Sequence, residues 1–318
     1  VLTIGNFDVV HLGHQAMLDK AKSLAKSQQL ASMVMIFEPQ PREFFSPQNA
    51  PARLTNLAEK TQLIAEHRID NLIVANFDND FRNLSAHDFA TILVKLNVKR
   101  LVLGDDFRFG HDRTGDSEFL RAFGLPVQIL HTVTDHAHQD ERVSSTRIRE
   151  CLQQGDLATA KHLLGRDYAI TGMVEHGDKI GRTLDFPTAN IALNRIKPAL
   201  HGIFAVSVTA TDGTDLSTLG KNTQTGVQGL TKGSLFGACN VGTRPALKNK
   251  YGVEWRLEVN FPKFDGDLYG RELTVTFLHF LHGEKNYAGL DALKQGIAQD
   301  VVDLLDWREQ QAFAKSCP

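Results

Sequence analysis

Short apolar runs alternate with stretches of helical periodicity through the first half of the chain. The strand-like runs lie at residues 1–4, 33–37, 72–77, 101–103 and 127–130. Apolar residues recur at helical spacing between them, over residues 15–26, 56–67, 86–97 and 118–123. Strands that alternate with helices pair in parallel, and the helices cover both faces of the sheet. The first half is therefore predicted to be an α/β domain whose ligands bind beyond the carboxyl ends of the strands.

The pattern changes in the second half. A helical stretch over residues 145–164 is followed by short β runs at 168–174, 190–193, 203–209, 237–241, 256–261 and 273–280. Several short strands at this spacing predict an antiparallel barrel or sandwich. Helical spacing returns over residues 290–313. Residues 211–234 contain few large apolar side chains and are predicted to form a mobile surface loop.

Length and composition limit the classes of function. At 318 residues the chain is long enough for two domains, which we place at 1–165 and 166–318. A net charge of −2 gives no field that would attract nucleic acid, and no apolar run is long enough to span a membrane. The three cysteines lack metal or redox spacing, which fits a cytoplasmic enzyme. Because Val1 already lies in a strand pattern, we expect a native leader before it.

The first candidate site follows the first apolar run, in the segment GNFDVVHLGH at 5–14. His11 and His14 are three residues apart at a strand-to-helix turn and would share one face. Free N–H groups and the helix dipole favour an anion there, and Gly13 permits close approach. Such a site could stabilise charge while an α-phosphate is attacked and pyrophosphate leaves. Taken alone, the pair fits equally a zinc site or polar residues at a helix start.

A second anion-binding pattern lies at 142–149, where three hydroxyl side chains precede a cation. These residues are Ser144, Ser145, Thr146 and Arg149. Alone, they would be read as an ordinary helix cap with surface arginines. Together with the histidine pair, they favour a nucleotidyltransferase.

Aromatic residues lie between these two patterns. Phe107 and Phe109 alternate within the glycine-flanked segment 104–110, where they could stack on a planar ring or belong to the core. Residues 38–45, EPQPREFF, are predicted to form a proline-stiffened loop above the sheet.

The second candidate site begins at FPTAN, residues 186–190, which enters a β run. Strand periodicity places Thr188 and Asn190 on one face, where neutral oxygen ligands and ATP phosphates would suit Mg²⁺. The loop from Gly177 to Gly181 could fold over phosphates, although it is not a Walker A loop. The alternative is the start of an edge strand with a hairpin turn.

A kinase that acts on an alcohol needs a group to accept the hydroxyl proton. Glu258 lies in a predicted strand between apolar neighbours and could face a pocket, and Glu284 and Tyr287 precede the last helix. The alternatives are a strand carboxylate that faces solvent and ordinary charges at a helix start.

In this order, the motifs resemble the prokaryotic bifunctional riboflavin kinase/FAD synthetase family from Val1 to about Asp306. The matching segments lie at 7–14, 38–45, 104–110, 144–149, 181–190, 240–245, 257–259 and 267–270. The resemblance implies a Rossmann-like nucleotidyltransferase domain, then a mostly antiparallel, riboflavin kinase-like β-barrel with a C-terminal helix.

The resemblance also implies two reactions on small-molecule substrates. ATP would phosphorylate riboflavin to FMN, and a second ATP would adenylylate FMN to FAD with release of pyrophosphate; self-association is left open. The implied catalytic residues are Glu258 as base, His11 and His14. The residues implied to bind ATP are Gly5, Phe7, Ser144, Ser145, Thr146, Arg149, Gly177, Lys179 and Gly181. Those implied to bind flavin are Asp106, Phe107, Phe109, Glu284 and Tyr287, and those for Mg²⁺ are Thr188 and Asn190.

Three positions depart from the family pattern. Val9 and Asp185 stand where the family usually has glycine, and Asn260 stands where it commonly has histidine. A β-branched residue at position 9 would be strained if the backbone there needs a positive φ. A kinase with an inactive or regulatory first domain therefore remains an alternative. A flavin sensor without turnover is a further one, although it would not need two ATP-phosphate signatures.

Overall fold

The computed structural model describes residues 1–135, 141–176, 186–222, 233–245 and 253–316. Contacts between residues divide the chain into two compact units. The first contains residues 1–147 and 163–165, and the second contains residues 148–162 and 166–318. The domain boundary predicted between residues 165 and 166 stays a prediction. Four positions named from the sequence lie outside the described residues: Gly177, Lys179, Gly181 and Asp185.

The first unit is built on a parallel sheet. Its strands are β1 (Leu2–Ile4), β2 (Met33–Glu38), β3 (Asn71–Asn76), β4 (Leu101–Gly104) and β5 (Val127–Leu130). They lie in the order β3-β2-β1-β4-β5, and every neighbouring pair is parallel. The order reverses between β1 and β4, which opens a crevice at their carboxyl ends. This confirms the α/β, Rossmann-like fold, and both β1 and β4 lead into predicted site segments.

Helices cover both faces of this sheet. They are α1 (Leu12–Ser27), α2 (Pro41–Phe45), α3 (Leu57–Glu66), α4 (Asn79–Arg82), α5 (Ala86–Lys95) and α6 (Ser117–Ala122). One apolar cluster joins Leu101 of β4 to Phe89 of α5, and another joins Ile36 of β2 to Leu18 of α1. The prediction of a loop over residues 38–45 is wrong in part, because Pro41 occupies the first turn of α2, where its missing N–H has no cost.

Two short strands and two helices connect the sheet to the barrel. The strands are β6 (Thr134–Asp135) and β7 (Glu141–Arg142), and the helices are α7 (Ser145–Gln153) and α8 (Leu157–Leu164). A single helical stretch over residues 145–164 was expected. The break follows from Gly155, which has a φ of +74°. A Cβ on this residue would lie 2.5 Å from the Phe280 ring. The position therefore requires glycine both for its positive φ and for the space beside that ring.

The second unit is a closed barrel. Its six strands are β8 (Ala169–Glu175), β9 (Thr188–Ile191), β10 (Gly202–Ala210), β12 (Leu235–Pro245), β13 (Val253–Asn260) and β15 (Glu272–His282). They close in the order β10-β12-β13-β9-β8-β15, and the neighbouring pairs are antiparallel. The predicted antiparallel architecture is therefore confirmed as a barrel. Phe204 and Phe277 meet edge to face in its core, with ring centroids 5.3 Å apart.

Part of the predicted surface loop at 211–234 has regular structure. Its described residues include a 3-10 turn at Leu216–Thr218 and the strand β11 (Gly220–Asn222), which pairs with β14 (Phe264–Gly266). Leu216 is fully buried and anchors the segment. The prediction of a loop without regular structure is wrong for these residues, because one buried leucine and a strand pairing outweigh the polar composition; the predicted mobility stays a prediction.

The helix predicted over residues 290–313 is present as α9 (Leu290–Ser316), and it lies against the barrel. Leu304 is fully buried in a cluster with Ala205 and Phe236. His282 of β15 and Asp300 of the helix hold the two elements together, with Nε2 and Oδ1 2.7 Å apart. Within the part of the chain that the structure describes, no helix is both long and apolar enough to cross a membrane.

Candidate active sites

The structure brings His11 and His14 together at the carboxyl end of β1. Their rings are stacked, with centroids 3.7 Å apart and planes inclined by 18°. His11 caps α1, because its Nδ1 accepts a hydrogen bond of 3.3 Å from the backbone N–H of His14. A Cβ at position 13 would lie 3.1 Å from the His11 ring, so Gly13 permits the stacking. Both imidazoles therefore lie at the start of a helix that begins beside the crevice.

His14 is held as a neutral imidazole. Burial lowers its pKa well below the usual value, and the charges of His11, Lys60 and Arg142 lower it further. Its ring lies 4.9 Å from the ring of Phe7, which is fully buried. Phe7 thus supports His14 from the core, and the buried ring of Phe7 itself is not accessible to a ligand. A neutral imidazole in this position can donate one hydrogen bond to a phosphate oxygen.

The turn between Gly5 and His11 has an unusual backbone. Phe7, Val9 and Val10 have positive φ angles of 47°, 68° and 44°. The conflict anticipated at Val9 is therefore present: a β-branched, buried side chain occupies the left-handed region.

A neighbouring segment holds this turn in place. The N–H of Val9 donates to Thr55 Oγ1 over 2.9 Å, and that hydroxyl donates to Asp8 Oδ1 over 3.0 Å. The N–H groups of Leu54 and Thr55 donate to the same carboxylate. Gly5 is fixed separately through a hydrogen bond of 3.1 Å from its N–H to the carbonyl of Met35. Tertiary hydrogen bonds thus stabilise a conformation that valine disfavours.

Substitutions at Val9 test this strain. We expect Val9→Gly to be more stable than Val9→Ala by up to about 1 kcal/mol, because only glycine adopts a positive φ without cost. At an ordinary position, glycine is the less stable of the two by about 0.5–1 kcal/mol. Both variants lose buried methyl groups, so the free energy of unfolding of each is expected to be lower than that of the native protein. Urea unfolding followed by far-UV circular dichroism measures the order.

Fluorescence separates the two units in that experiment. Both tryptophans and all four tyrosines lie after residue 165, so their fluorescence follows the second unit alone. A loss of helical signal without a change in fluorescence reports unfolding of the first unit. If Val9→Gly unfolds at lower urea than Val9→Ala, the backbone at residue 9 is not strained.

The serine-rich pattern lies at the same turn. Ser145, the first residue of α7, donates a hydrogen bond of 3.1 Å from Oγ to the carbonyl of Asp8. Ser144 Oγ accepts from the N–H of Arg147 over 3.3 Å, and Thr146 is exposed. The two predicted phosphate patterns therefore converge in the first unit. Arg149 belongs to the second unit.

The aromatic segment after β4 divides into a buried and an accessible part. Phe109 is only 7% exposed and packs 5.1 Å from the Phe89 ring, so it belongs to the core. Phe107 stacks on it at 5.7 Å and is partly exposed. Asp106 is exposed and accepts a hydrogen bond of 2.9 Å from Arg142. Of the three predicted flavin contacts here, Asp106 and Phe107 thus lie at the surface.

In the barrel, a row of polar side chains crosses three adjacent strands. Thr188 and Asn190 of β9 alternate with buried residues and share a face, as the strand periodicity predicted. Glu258 of β13 pairs directly with Asn190, and Asn240 of β12 pairs with Glu258 on its other side. Directly opposed residues of antiparallel strands project to the same side. Asn190, Glu258 and Asn240 therefore form one continuous polar row.

Glu258 is the carboxylate at the centre of this row. It lies between buried Leu257 and Val259, and its side chain is 28% exposed. Arg256 lies 3.6 Å from its Oε1 and contacts Glu254 as well. A carboxylate in this setting is ordered but still reachable by a substrate hydroxyl.

Asn260, one of the three departures from the family pattern, has a defined structural role. It is buried, and its Nδ2 donates a hydrogen bond of 3.0 Å to the carbonyl of Pro187. It also pairs with Thr188 across the strands. Asn260 thus fixes the segment that leads into Thr188 and Asn190.

Glu284 reaches the polar row, whereas Tyr287 lies against the last helix. A Cβ on Gly242 would lie 2.4 Å from Glu284 Oε1 and 3.2 Å from Asn240 Oδ1, so this glycine makes room for both side chains. His201 Nε2 lies 2.8 Å from the other Glu284 oxygen. The Tyr287 ring covers Gly296 of α9. The reasoning from sequence gave Asn240 no role, although it stands in the NVGTRP motif at 240–245.

A pocket of about 370 Å³ lies next to Thr188. Its lining comprises Val174, Pro187, Thr188, Ala189, Phe261, Phe264, Asp265, Gly266, Asp267, Leu268 and Tyr269. The ring of Tyr269 lies 4.1 Å from that of His176. The size and the partly aromatic wall suit a planar ring. In the sequence, residues 267–270 were noted only as a segment that resembles the family pattern, and nothing there predicted this pocket.

A parallel sheet with paired histidines, joined to a barrel with a polar row around one carboxylate, is the arrangement of a two-domain, nucleotide-dependent transferase. The FAD synthetase family model matches residues 1–147, and the riboflavin kinase family model matches residues 164–307. The protein of Escherichia coli K12 named bifunctional riboflavin kinase/FMN adenylyltransferase is 41% identical over 94% of this chain and 90% of its own length. This chain therefore belongs to the bifunctional riboflavin kinase/FMN adenylyltransferase family.

Two further likenesses extend over nearly the whole chain. The protein of the same name from Haemophilus influenzae is 39% identical over 94% of this chain and 91% of its own length. A crystal structure titled as a macrolide-efflux protein from Streptococcus pneumoniae superimposes with a TM-score of 0.72 and 26% identity. That superposition covers 96% of this chain and 94% of the other. Both units of this chain thus have counterparts within single proteins.

Proposed function

We propose that this chain makes FAD from riboflavin in two ATP-dependent steps. Its barrel is a riboflavin kinase that produces FMN, and its parallel-sheet unit is an FMN adenylyltransferase that produces FAD and pyrophosphate. The observation that carries this proposal is that one chain holds two separate clusters of polar side chains, one in each unit, whose chemistry suits phosphate groups. These are the stacked His11 and His14 in one unit and the row through Glu258 in the other.

In the adenylyl transfer, an oxygen of the FMN phosphate attacks the α-phosphorus of ATP, and the bond to pyrophosphate breaks. The attacking oxygen is already ionised, so the site must position the reactants and stabilise charge. His14 donates to a phosphate oxygen as a neutral imidazole, and the free N–H groups at the start of α1 assist it. Asp106 and Phe107 hold the flavin at the end of β4.

In the kinase step, the riboflavin hydroxyl attacks the γ-phosphorus of ATP, and ADP leaves. Glu258 accepts the hydroxyl proton, because its carboxylate is ordered by the row and partly exposed. The pocket beside Thr188 takes the adenosine part of ATP, which directs the phosphates along β9 toward Asn190. Glu284 contributes to the flavin side of the same row.

The residues of β9 suit Mg²⁺. Thr188 and Asn190 offer a hydroxyl and an amide oxygen on one face, and the paired Glu258 adds a nearby carboxylate. This ion prefers a site with few protein ligands, in which substrate phosphates complete the coordination. When bound, Mg²⁺ would neutralise charge on the phosphate oxygens.

The test is to incubate the protein with riboflavin, ATP and Mg²⁺ and to separate riboflavin, FMN and FAD by chromatography. We expect FAD to accumulate. FMN without FAD would confine catalysis to the barrel and would contradict the proposal for the first unit. Riboflavin that binds but stays unmodified would mean a flavin sensor.

We also propose that the enzyme works in the cytoplasm on small molecules alone. A net charge of −2 supplies no electrostatic attraction for nucleic acid.

The state of self-association is a separate question. Light scattering coupled to size-exclusion chromatography, with and without substrates, tests self-association.

A further inference from the structure

A layer of buried polar residues lies behind the strained turn of the first unit, where the start of α3 contacts residues 8–10. Most of these groups have partners. The Thr55 hydroxyl donates a hydrogen bond to Asp8. The backbone N–H of Asn56 donates to the Glu59 side chain over 2.8 Å, and the backbone N–H of Glu59 donates to the Asn56 side chain over 2.9 Å. Lys60, the next residue of α3, differs from them.

The ammonium group of Lys60 is buried, and none of the described residues offers it a hydrogen bond. The residue is 0% exposed, and its Nζ contacts no acceptor among the residues that the structure describes. The pKa of Lys60 is lowered, first by burial and also by the charge of Arg53, although nearby Asp8, Glu38 and Glu43 raise it. A cation taken out of water without a partner is strongly unfavourable, so its retention needs an explanation.

The carboxylates near Lys60 already have other partners. Asp8 accepts from Leu54 and Thr55. Glu38 and Glu43 both bind the guanidinium of Arg53, with contacts of 2.8 Å to each. The negative charge around Lys60 therefore stabilises its ammonium in the site but leaves its hydrogen-bonding capacity unused.

The position of Lys60 relates it to the histidine pair. Its charge acts on His14, and its helix directly follows the segment that holds Val9. His14 Nδ1 and Gln40 Nε2 are likewise buried without partners among the described residues. Unsatisfied polar atoms thus occur on three separate elements around the carboxyl ends of β1 and β2.

We propose that Lys60 is a further phosphate-binding residue of the adenylyltransferase site. Its ammonium binds anionic oxygens of the ATP triphosphate and of the departing pyrophosphate. The flexible stem of lysine lets the group move from its buried position to the phosphate. Lys60 transfers no proton; the bond to the FMN oxygen forms, and the bond to pyrophosphate breaks, with Lys60 stabilising the charge that leaves. This role rests on the proposed function of the first unit.

The test compares Lys60→Met and Lys60→Gln with Lys26→Met, an exposed lysine on α1 of the same unit. Supplied FMN and ATP give kcat/KM for FAD formation, and the riboflavin kinase rate of each sample is the internal control. Inorganic pyrophosphate, added during thermal unfolding followed by circular dichroism, reports binding without turnover. Protein fluorescence again follows the second unit alone.

We expect Lys60→Met to lower kcat/KM for FAD formation about 100-fold and to remove the pyrophosphate-induced shift in unfolding temperature. The kinase rate should be kept, and the unliganded unfolding temperature should be kept or raised, because methionine removes a buried charge that is unfavourable in the free protein. Lys60→Gln retains a hydrogen-bond donor but no charge, so its kcat/KM for FAD formation should lie between those of the native protein and Lys60→Met. Lys26→Met should have the native kcat/KM and the native pyrophosphate-induced shift.

Two results would overturn the proposal. One is a kcat/KM within threefold of the native value in Lys60→Met. The other is a reduced rate with an unchanged pyrophosphate shift in either Lys60 variant, which would mean a structural role. If the native protein makes no FAD from supplied FMN, the proposed function fails, and the pyrophosphate shift still decides whether Lys60 binds the anion.

Discussion

Replacement of Glu258 by glutamine is expected to abolish FMN formation while supplied FMN is still converted to FAD. Glutamine keeps the size of the side chain and removes its ability to accept the proton of the riboflavin hydroxyl. Loss of a general base typically costs about 10²–10⁴ in rate. Initial rates of FMN formation, with kcat and KM separated, measure the effect. The fall should be in kcat, because the proton moves only as the new bond forms.

The neighbouring glutamate supplies a matched control. Glu254 lies on the same strand and contacts the same arginine, Arg256. It is 42% exposed, and strand alternation places it on the same face as Glu258. Glu254 does not pair with Asn190 of β9 and is not part of the polar row, so Glu254→Gln should retain the kinase rate. Equal losses in the two variants would show that the charge near Arg256 matters and that Glu258 is not the base; a native rate in Glu258→Gln would exclude that role directly.

Much of the architecture could be predicted from the sequence, because it depends on local patterns. The alternation of apolar runs with helical spacing gave the parallel sheet, and the period of two in β9 placed Thr188 and Asn190 on one face. The histidines converge for the same reason, since a three-residue spacing at a helix start is a local geometry. Resemblance to a family supplied the roles.

The features that escaped prediction depend on contacts distant in sequence. Thr55 holds the turn at Val9 across 46 residues, and Asn240 joins Glu258 only because β12 and β13 pair in a particular register. Lys60 falls within an ordinary amphipathic helix pattern, and nothing in that pattern marks it as buried. Register and burial arise from the fold as a whole.

Phe7 and Phe109 show the limit of reading a motif literally. Both stand in segments that resemble ligand-binding motifs, yet both side chains are buried in the core. Phe7 supports His14 and Phe109 supports Phe107, so each contributes through a neighbour. A motif thus contains the residues that position a site as well as those that contact a ligand.

Replacement of His14 by alanine is expected to give the opposite defect to that of Glu258→Gln. FAD formation from supplied FMN should fall about 10²–10³-fold, because one preorganised donor to the phosphate is lost. Riboflavin kinase activity should stay at the native rate. Since burial keeps the pKa of His14 low, the native group acts as a neutral donor at pH 7. His14→Asn, which also offers a neutral N–H donor, should therefore retain more activity than His14→Ala.

His87→Ala provides the control for loss of a histidine ring in the same unit. The His87 ring contacts Phe123 at 5.2 Å, as His14 contacts Phe7 at 4.9 Å, but it lies on α5 and is exposed. Its removal should leave both activities unchanged. Native FAD synthesis in His14→Ala would rule out the role of His14. Equal activities in His14→Ala and His14→Asn, both strongly reduced with unfolding temperatures unchanged, would mean that the position requires an imidazole and not merely a neutral donor.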